Sequence, residues 1–249
     1  MPYGLYLSAA GANAQSHRLE VLSHNLANID TAGFKPHMAL LQSRSSQAIE
    51  DGTSLPGSGS VDDISGGVGI KPTVTQFSQG AIRQTGNRTD FALSDAESFF
   101  SIDHAGKQLL TRAGNFQFDS RGTLVTPQGD AVRGANGGPI TINPTLPYEV
   151  ADDGAVVQAG ARQPLMLVKP RALGDLSRVG ENLFESLTPV DEVPNHQRSI
   201  VSGAVESSAV EPTGAMMQLI EASRVYEANI RMIQTQDESM GQLLGRVLK

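Results

Sequence analysis

The chain has 249 residues, including 26 glycines and 13 prolines, few aromatic side chains and a formal net charge of −7. This length allows one large β domain or two smaller units, and the glycine and proline content indicates many turns. The acidic balance argues against a nucleic-acid-binding protein, whose surface should be basic, and the lack of cysteine excludes disulfides and thiolate chemistry.

The N-terminal segment, residues 3–29, is predicted to be a helix that ends between Asn28 and Gly33, because asparagine, aspartate and glycine favour turns. The opening residues are not typical of a signal peptide, since no basic residue precedes them and polar residues interrupt them. No stretch is long and apolar enough to predict a membrane span. The apolar residues of this helix follow a seven-residue repeat: Leu5, Ala12, Leu19 and Leu26, with Leu22 and Ile29 at the second position.

The middle of the chain divides into two predicted parts. Residues 36–70 are predicted to be a linker or long loop, because much of this stretch is rich in glycine, serine and aspartate. Residues 71–204 contain short alternating segments separated by turn signals such as Ala105-Gly106 and Gln128-Gly129, which predicts a β-rich outer domain.

A second helix is predicted over residues 213–247, where the seven-residue repeat is complete and no proline interrupts it. The predicted fold class is therefore a mainly β central body with long N- and C-terminal α-helices. The predicted terminal helical domain combines residues 1–35 with residues 205–249. The repeat of the second helix consists of Leu219, Tyr226, Ile233, Met240 and Val247.

No side-chain pattern in the sequence supports catalysis, cofactor binding or metal binding. His17 and His24 lie seven residues apart on the first helix, but two ligands without a third donor make a weak metal site. The acidic pairs at 62–63 and 152–153 lie in glycine-rich loops, where such residues are more often turn formers than acid–base pairs. We therefore predict no enzymatic activity, no cofactor and no metal.

Four segments resemble the bacterial flagellar axial proteins, the rod and hook family. They occur in the family's order and span nearly the whole chain. The segments are NLANIDTAGFK (25–35), FSQGAIRQTGNRTDFAL (77–93), TRAGNFQFDSRGTLVTPQGDAVRG (111–134) and GAVESSAVEPTGAMMQLIEASRVYEANIRMIQTQD (203–237).

The resemblance implies a structural subunit of the basal-body rod, which transmits torque to the hook. The terminal helices would form a coiled-coil inner tube on assembly, with the β body outside. The implied partners are copies of the chain, other rod and hook proteins, and the flagellar type III export apparatus, without nucleic acid or membrane insertion. The implied location is the rod across the periplasm, reached without a cleaved signal peptide.

The resemblance favours a proximal-rod protein, with a distal-rod protein as the next choice. The chain is short for a hook protein, which carries an extra outer domain. Distal-rod proteins typically have a YQTIRQPG-like insertion after the first helix, whereas this chain has LLQSRSSQAIEDGTSLPG there.

The residues expected at subunit interfaces lie in the two helices and in the string that follows the first helix. From spacing alone, Gly33 and Phe34 are typical of an ordinary helix end, with Phe34 packed in its own domain. The resemblance instead implies a junction between subunits, where asparagine amides can cap carbonyls or bridge to a neighbour. The expected interface set is Leu19, Leu22, Asn25, Leu26, Asn28, Gly33, Phe34, Leu219, Tyr226, Asn229, Ile233 and Met240.

Two other classes of protein remain open from the residues alone. A secreted β-rich binding or adhesin module would use the terminal helices to form closed oligomers. A hydrolase on a β scaffold would need a cleft with clustered polar side chains.

Overall fold

The computed structural model describes residues 3–55, 57, 65–151, 153–180, 182–194 and 197–247, without the side chains of residues 47, 48 and 247. The acidic residues Asp62, Asp63 and Asp152 lie outside the described residues. The described chain divides into two compact units. We call them the helical unit, drawn from residues 1–27, 37–76 and 211–249, and the β unit, drawn from residues 28–36 and 77–210.

The helical unit contains both long helices, α1 (Tyr3–Ala27) and α3 (Pro212–Val247), which confirms the two predicted helices. They run antiparallel. A Cβ placed on Gly4 would lie 2.8 Å from Nε2 of Gln236, and one on Gly11 would lie 3.1 Å from Oδ1 of Asn229. Both glycines and both amide residues are seven positions apart, so one face of each helix is turned to the other. The small side chains allow the close approach.

The helices differ in length. At about 1.5 Å per residue, the 25 residues of α1 extend about 38 Å and the 36 residues of α3 about 54 Å. Because Gly4 already lies opposite Gln236, the last turns of α3 continue beyond the first residue of α1. None of the helices in the described ranges is both long and apolar enough to cross a membrane.

The segment predicted as a linker contains regular structure, which corrects that prediction. Strand β1 (His37–Arg44) pairs antiparallel with β2 (Gly67–Thr75), and a short helix, α2 (Gln47–Glu50), follows β1. The ribbon packs on α1, because the backbone of Gly67 lies close to the side chains of Tyr6, Leu7 and Ala10. The hydroxyl of Tyr3 also donates a hydrogen bond to the carbonyl of Ser65.

The β unit is built from short strands, and every strand pair in the described part of the chain is antiparallel. Its strands are β3 (Ile82–Gln84), β4 (Phe91–Leu93), β5 (Phe99–His104), β6 (Lys107–Thr111), β7 (Gln117–Phe118), β8 (Leu124–Val125), β9 (Ala131–Val132), β10 (Glu149–Val150), β11 (Val156–Gln158), β12 (Ala161–Gln163), β13 (Leu167–Pro170), β14 (Leu176–Gly180), β15 (Leu183–Ser186), β16 (Val190–Glu192), β17 (Ile200–Ser202) and β18 (Ala204–Glu206), with a 3-10 turn at Leu173–Asp175.

The main sheet has the strand order β14-β15-β6-β5-β9-β8-β7, with β13 also on β5 and β16 on β13. Successive residues of β5 point to opposite faces, so Phe100 lies in the larger core cluster and Phe99 in the smaller one. Both faces of the sheet centre are therefore buried. Two small ribbons, β17-β4 and β18-β3, bring the last strands of the β unit back beside its first ones.

The β unit and the β domain predicted over residues 71–204 have different sequence bounds. The β unit also includes residues 28–36 and residues 205–210. Residues 71–76, by contrast, belong to the helical unit. The chain therefore leaves the helical unit after α1, enters the β unit for nine residues, and returns at β1.

Candidate functional site

The last turn of α1 carries a buried asparagine, Asn25, whose side chain binds the backbone at the start of β1. Asn25 Nδ2 donates a hydrogen bond to the carbonyl of His37 at 2.8 Å, and His37 N donates to Asn25 Oδ1 at 2.8 Å. One side-chain amide thus satisfies both backbone groups of the first residue of β1, as a neighbouring strand would. Asn25 is 6% exposed, so these bonds are shielded from water.

After Asn25, a tight turn leads into the β unit. Thr31 N donates to the carbonyl of Asn28 at 3.3 Å, and Phe34 N donates to the carbonyl of Thr31 at 3.2 Å. Within this turn, Gly33 has a φ of +65°. A Cβ placed on it would lie 2.4 Å from the carbonyl carbon of Arg112. This position therefore requires glycine both for its left-handed backbone and for its closeness to another backbone.

Phe34 is 1% exposed and contacts Arg178 and Ala209 inside the β unit. Its ring centroid lies 4.7 Å from the guanidinium carbon of Arg178, a cation–π distance. Its carbonyl accepts a hydrogen bond from Ala209 N at 3.1 Å. Burial lowers the pKa of Arg178 from its ordinary value, and Nη1 of Arg178 donates to the carbonyl of Lys35 at 3.3 Å.

Three buried charges form the centre of this site, which we call the ion cluster: Lys35, Arg112 and Glu206. Lys35 Nζ lies 2.6 Å from Glu206 Oε1, and Arg112 Nε lies 2.9 Å from Glu206 Oε2. None of the three is more than 1% exposed. Charges this deeply buried are tolerated only when they are paired and hydrogen-bonded.

Backbone groups complete the hydrogen bonding of the ion cluster. Lys35 Nζ also donates to the carbonyl of Ser78 at 2.6 Å, and Gly80 N donates to Glu206 Oε1 at 2.9 Å. The remaining nitrogens of Arg112 donate to the carbonyls of Ser98 and Asp95. Every charged side chain of the ion cluster thus has partners on two or more segments.

The ion cluster carries an excess positive charge, since two cations share one carboxylate. Burial is the main cause that lowers the pKa of Lys35 from its ordinary value, and the charge of Arg112 lowers it further, while Glu206 opposes both effects. Loss of the Lys35 proton leaves a neutral Arg112–Glu206 pair.

Comparison with known proteins divides the chain into the same segments that meet at the ion cluster. Residues 5–35 match the family "Flagella basal body rod protein", residues 95–158 the "Flagellar hook protein FlgE/F/G D1 domain", and residues 201–246 the "Flagellar basal body rod FlgEFG protein C-terminal". Each match contributes one residue of the ion cluster.

Relatives similar over the full length support the same family. The chain is 32% identical to the flagellar basal-body rod protein FlgF of Caulobacter vibrioides over 235 residues, which cover 94% of this chain and 93% of the relative. It is 31% identical to FlgG of Bacillus subtilis over 258 residues, covering 96% and 97%. The chain belongs to the flagellar basal-body rod protein family.

In this rod-family chain, Gly33 and Phe34 are buried in the β unit. Asn25 forms its two hydrogen bonds with His37 of the same chain. The interface role expected for these three residues stays a prediction.

The other expected interface residues of the rod-family chain lie on the two helices or at the end of α1, and their role at interfaces stays a prediction. Leu22 is buried, and Met240 is 41% exposed on the far part of α3. The remaining ones are half-buried: Leu19, Leu26, Asn28, Leu219, Tyr226, Asn229 and Ile233.

The residues of the ion cluster were missed as site residues, although each lies inside a segment that carries the family resemblance. A sequence signal was present: Lys35 ends the string AGFK, Arg112 is the second residue of TRAGNF, and Glu206 follows the apolar pair of GAVE. Charged residues are usually exposed, and only the fold brings these three together.

Metal chemistry has no candidate in the described ranges. Across them, no group of three or more histidine, cysteine, aspartate or glutamate side chains is placed to hold a metal ion. His17 Nδ1 lies 3.7 Å from Glu20 Oε2 on the same helix.

Proposed function

We infer that this chain is a structural subunit of the flagellar basal-body rod that assembles helically, through its helical unit, with copies of itself and with other axial proteins. In this proposal the β unit is a folded outer body and the two long helices supply the contacts of the inner tube. The rod would transmit torque to the hook, and the subunit would reach it through the flagellar type III apparatus, without a cleaved signal peptide.

The observation that carries this proposal is the uneven distribution of exposed apolar side chains. Among the described residues, the β unit exposes only four large hydrophobic side chains: Ile82, Leu146, Val179 and Leu187. The helical unit exposes sixteen: fifteen on the two long helices and the β1–β2 ribbon, and Leu55 between α2 and β2. Large exposed apolar surfaces are rare on monomeric proteins and mark interaction sites.

The end of α3 is the clearest part of this surface. Met240, Leu243 and Leu244 are 41%, 57% and 58% exposed, and they lie beyond the stretch of α3 that faces α1. A helix of this kind gains most of its stability from packing its apolar stripe against another element. A neighbouring subunit that covers this end makes a contact between two different surfaces, which is the kind that extends into a filament.

The test compares leucines of the two units in a strain that lacks the native protein. The double variant Leu243→Asp/Leu244→Asp should remove motility and prevent incorporation into basal bodies, because each charge would have to be desolvated in a packed interface. Leu187→Asp is the matched control, since Leu187 is 74% exposed in the β unit. It should leave both properties unchanged.

The proposal fails if the double variant swims and assembles like the unmodified chain. Purified protein gives an independent check: a soluble closed oligomer with fully covered helices would favour a binding module over a rod subunit.

We further propose a place in the proximal part of the rod. The segment after α1 supports this, because LLQSRSSQAIEDGTSLPG has no similarity to the insertion typical of distal-rod proteins. Electron microscopy of basal bodies from a strain without the chain tests it. A rod that ends near its base is expected, and a rod of nearly full length would contradict the proposal.

A further inference from the structure

The carboxylate of Glu206 forms hydrogen bonds to three parts of the β unit that are distant in sequence. Its two oxygens accept hydrogen bonds from Lys35, from Gly80 and from Arg112. Lys35 is 171 residues away in sequence and Arg112 is 94 residues away. One side chain therefore holds three segments that are otherwise far apart along the chain.

The backbone around Glu206 extends the same connection. Its carbonyl accepts a hydrogen bond from Gly33 N at 2.7 Å, and Ser207 N donates to the carbonyl of Ala81 at 2.8 Å. Strand β18, which Glu206 ends, pairs with β3. The segment from 204 to 209 thus lies between the incoming string of residues 31–35 and the first strand of the β unit.

The charges of Lys35 and Arg112 oppose folding of the β unit when the segment that carries Glu206 is not in place. Without the Glu206 carboxylate, Lys35 and Arg112 would be two like charges in a place that excludes water, and no other carboxylate among the described residues is bonded to either of them. Like charges that cannot be solvated oppose burial strongly. The closed arrangement of Lys35 and Arg112 is then disfavoured.

We propose that Glu206 is the closure element of the β unit: its carboxylate makes folding of the whole unit conditional on the segment that arrives last in the sequence. A chain held open before residue 206 keeps Lys35 and Arg112 apart, and the unit closes when the carboxylate compensates them. The dependence is a property of the fold, and it stands or falls independently of assembly into a rod.

Three full-length variants test the charge argument. Glu206→Gln keeps the shape of the side chain and leaves two uncompensated cations. Lys35→Met removes one cation and leaves the neutral Arg112–Glu206 pair. The double variant Lys35→Met/Glu206→Gln removes the anion and one cation, so only one charge remains to be buried.

Hydrogen exchange followed by mass spectrometry measures the opening of each segment. We expect Glu206→Gln to accelerate exchange about a hundredfold or more, both in peptides next to the ion cluster (residues 31–36 and 203–210) and in strands away from it (residues 124–132). Lys35→Met should have a smaller effect, and the double variant should exchange more slowly than Glu206→Gln.

Two results would overturn the proposal. One is acceleration confined to the peptides next to the ion cluster, which would make Glu206 a local contact. The other is a double variant that opens as readily as Glu206→Gln, because hydrogen-bond loss rather than charge would then explain the effect. If Glu206→Gln cannot be obtained in folded form, a folded double variant supports the proposal and an unfolded one overturns it.

Discussion

Replacing Gly33 with alanine tests how the string after α1 is seated in the β unit. The left-handed backbone of Gly33 costs an L-residue about 1–2 kcal/mol. The new Cβ would also lie 2.4 Å from both the carbonyl carbon and the carbonyl oxygen of Arg112, and 2.6 Å from the amide nitrogen of Ala113. These are backbone atoms, so no side chain can rotate away.

The relief of this contact requires the new Cβ and the backbone of Arg112 to move apart from 2.4 Å to an ordinary contact distance of 3.4 Å or more. Overpacking of this kind costs about 1–3 kcal/mol and occasionally more. Gly33→Ala should therefore lower the free energy of unfolding of the β unit by about 2–5 kcal/mol in total. That is a large share of the stability of a typical domain.

Gly106→Ala is the matched control for the close approach. Gly106 also has a positive φ, +81°, but nothing lies within 4 Å of a Cβ built there. It should cost only the left-handed term of about 1–2 kcal/mol. Urea unfolding of both full-length variants, followed by the β-sheet band in circular dichroism, gives the two values. Equal losses of stability would show that Gly33 does not lie against the backbone of Arg112 in the folded chain.

Three further predictions concern other parts of the molecule. Asn25→Leu removes the two hydrogen bonds that the Asn25 amide makes with the backbone of His37, and urea unfolding should show a loss of about 1–3 kcal/mol in the helical unit. Ile233→Asp places a charge on the face of α3 that meets α1, so the helical circular dichroism signal of the monomer should unfold at lower urea while the β-sheet signal is unchanged. Lys35→Met changes the pH dependence of stability. The pKa of Lys35 is lowered in the folded chain, so between that pKa and 10.5 the unfolded chain binds more protons and the unfolding free energy should rise with pH. Urea unfolding across this alkaline range should show a flatter slope for Lys35→Met, and parallel slopes would contradict the shift.

The helices could be predicted from the sequence because apolar residues follow a seven-residue repeat in both, completely in the second helix. Periodicity gives the face of a helix that is covered, but it does not say by what. The sequence did not show that Gly4 and Gly11 of α1 lie against Gln236 and Asn229 of the same chain, since a small residue in a helix has no apolar signal of its own.

Strand β1 and the first residues of β2, 67–70, were missed for a different reason. Two strands that make one ribbon bury little surface, so their sequences do not alternate clearly between apolar and polar residues: HMALLQSR exposes Met38 and Leu41, and GVGIKPTVT exposes Val68, Ile70 and Val74. The ion cluster was missed because a charged side chain is normally evidence for exposure. Its burial depends on three segments that no local pattern connects.

The two hydrogen bonds between Asn25 and His37 constrain the length of the chain segment that joins these residues. The Asn25 amide joins two points of the chain that are 12 residues apart, so the backbone from Asn25 to His37 forms a non-covalent ring. Inside this ring, Gly33 has room only for a hydrogen, and Phe34 and Lys35 fill fixed positions. An inserted residue would have to open the ring or move Phe34 out of its place, and a deleted one would leave the ring too short. The number of residues between this asparagine and the lysine is therefore as constrained as their identity.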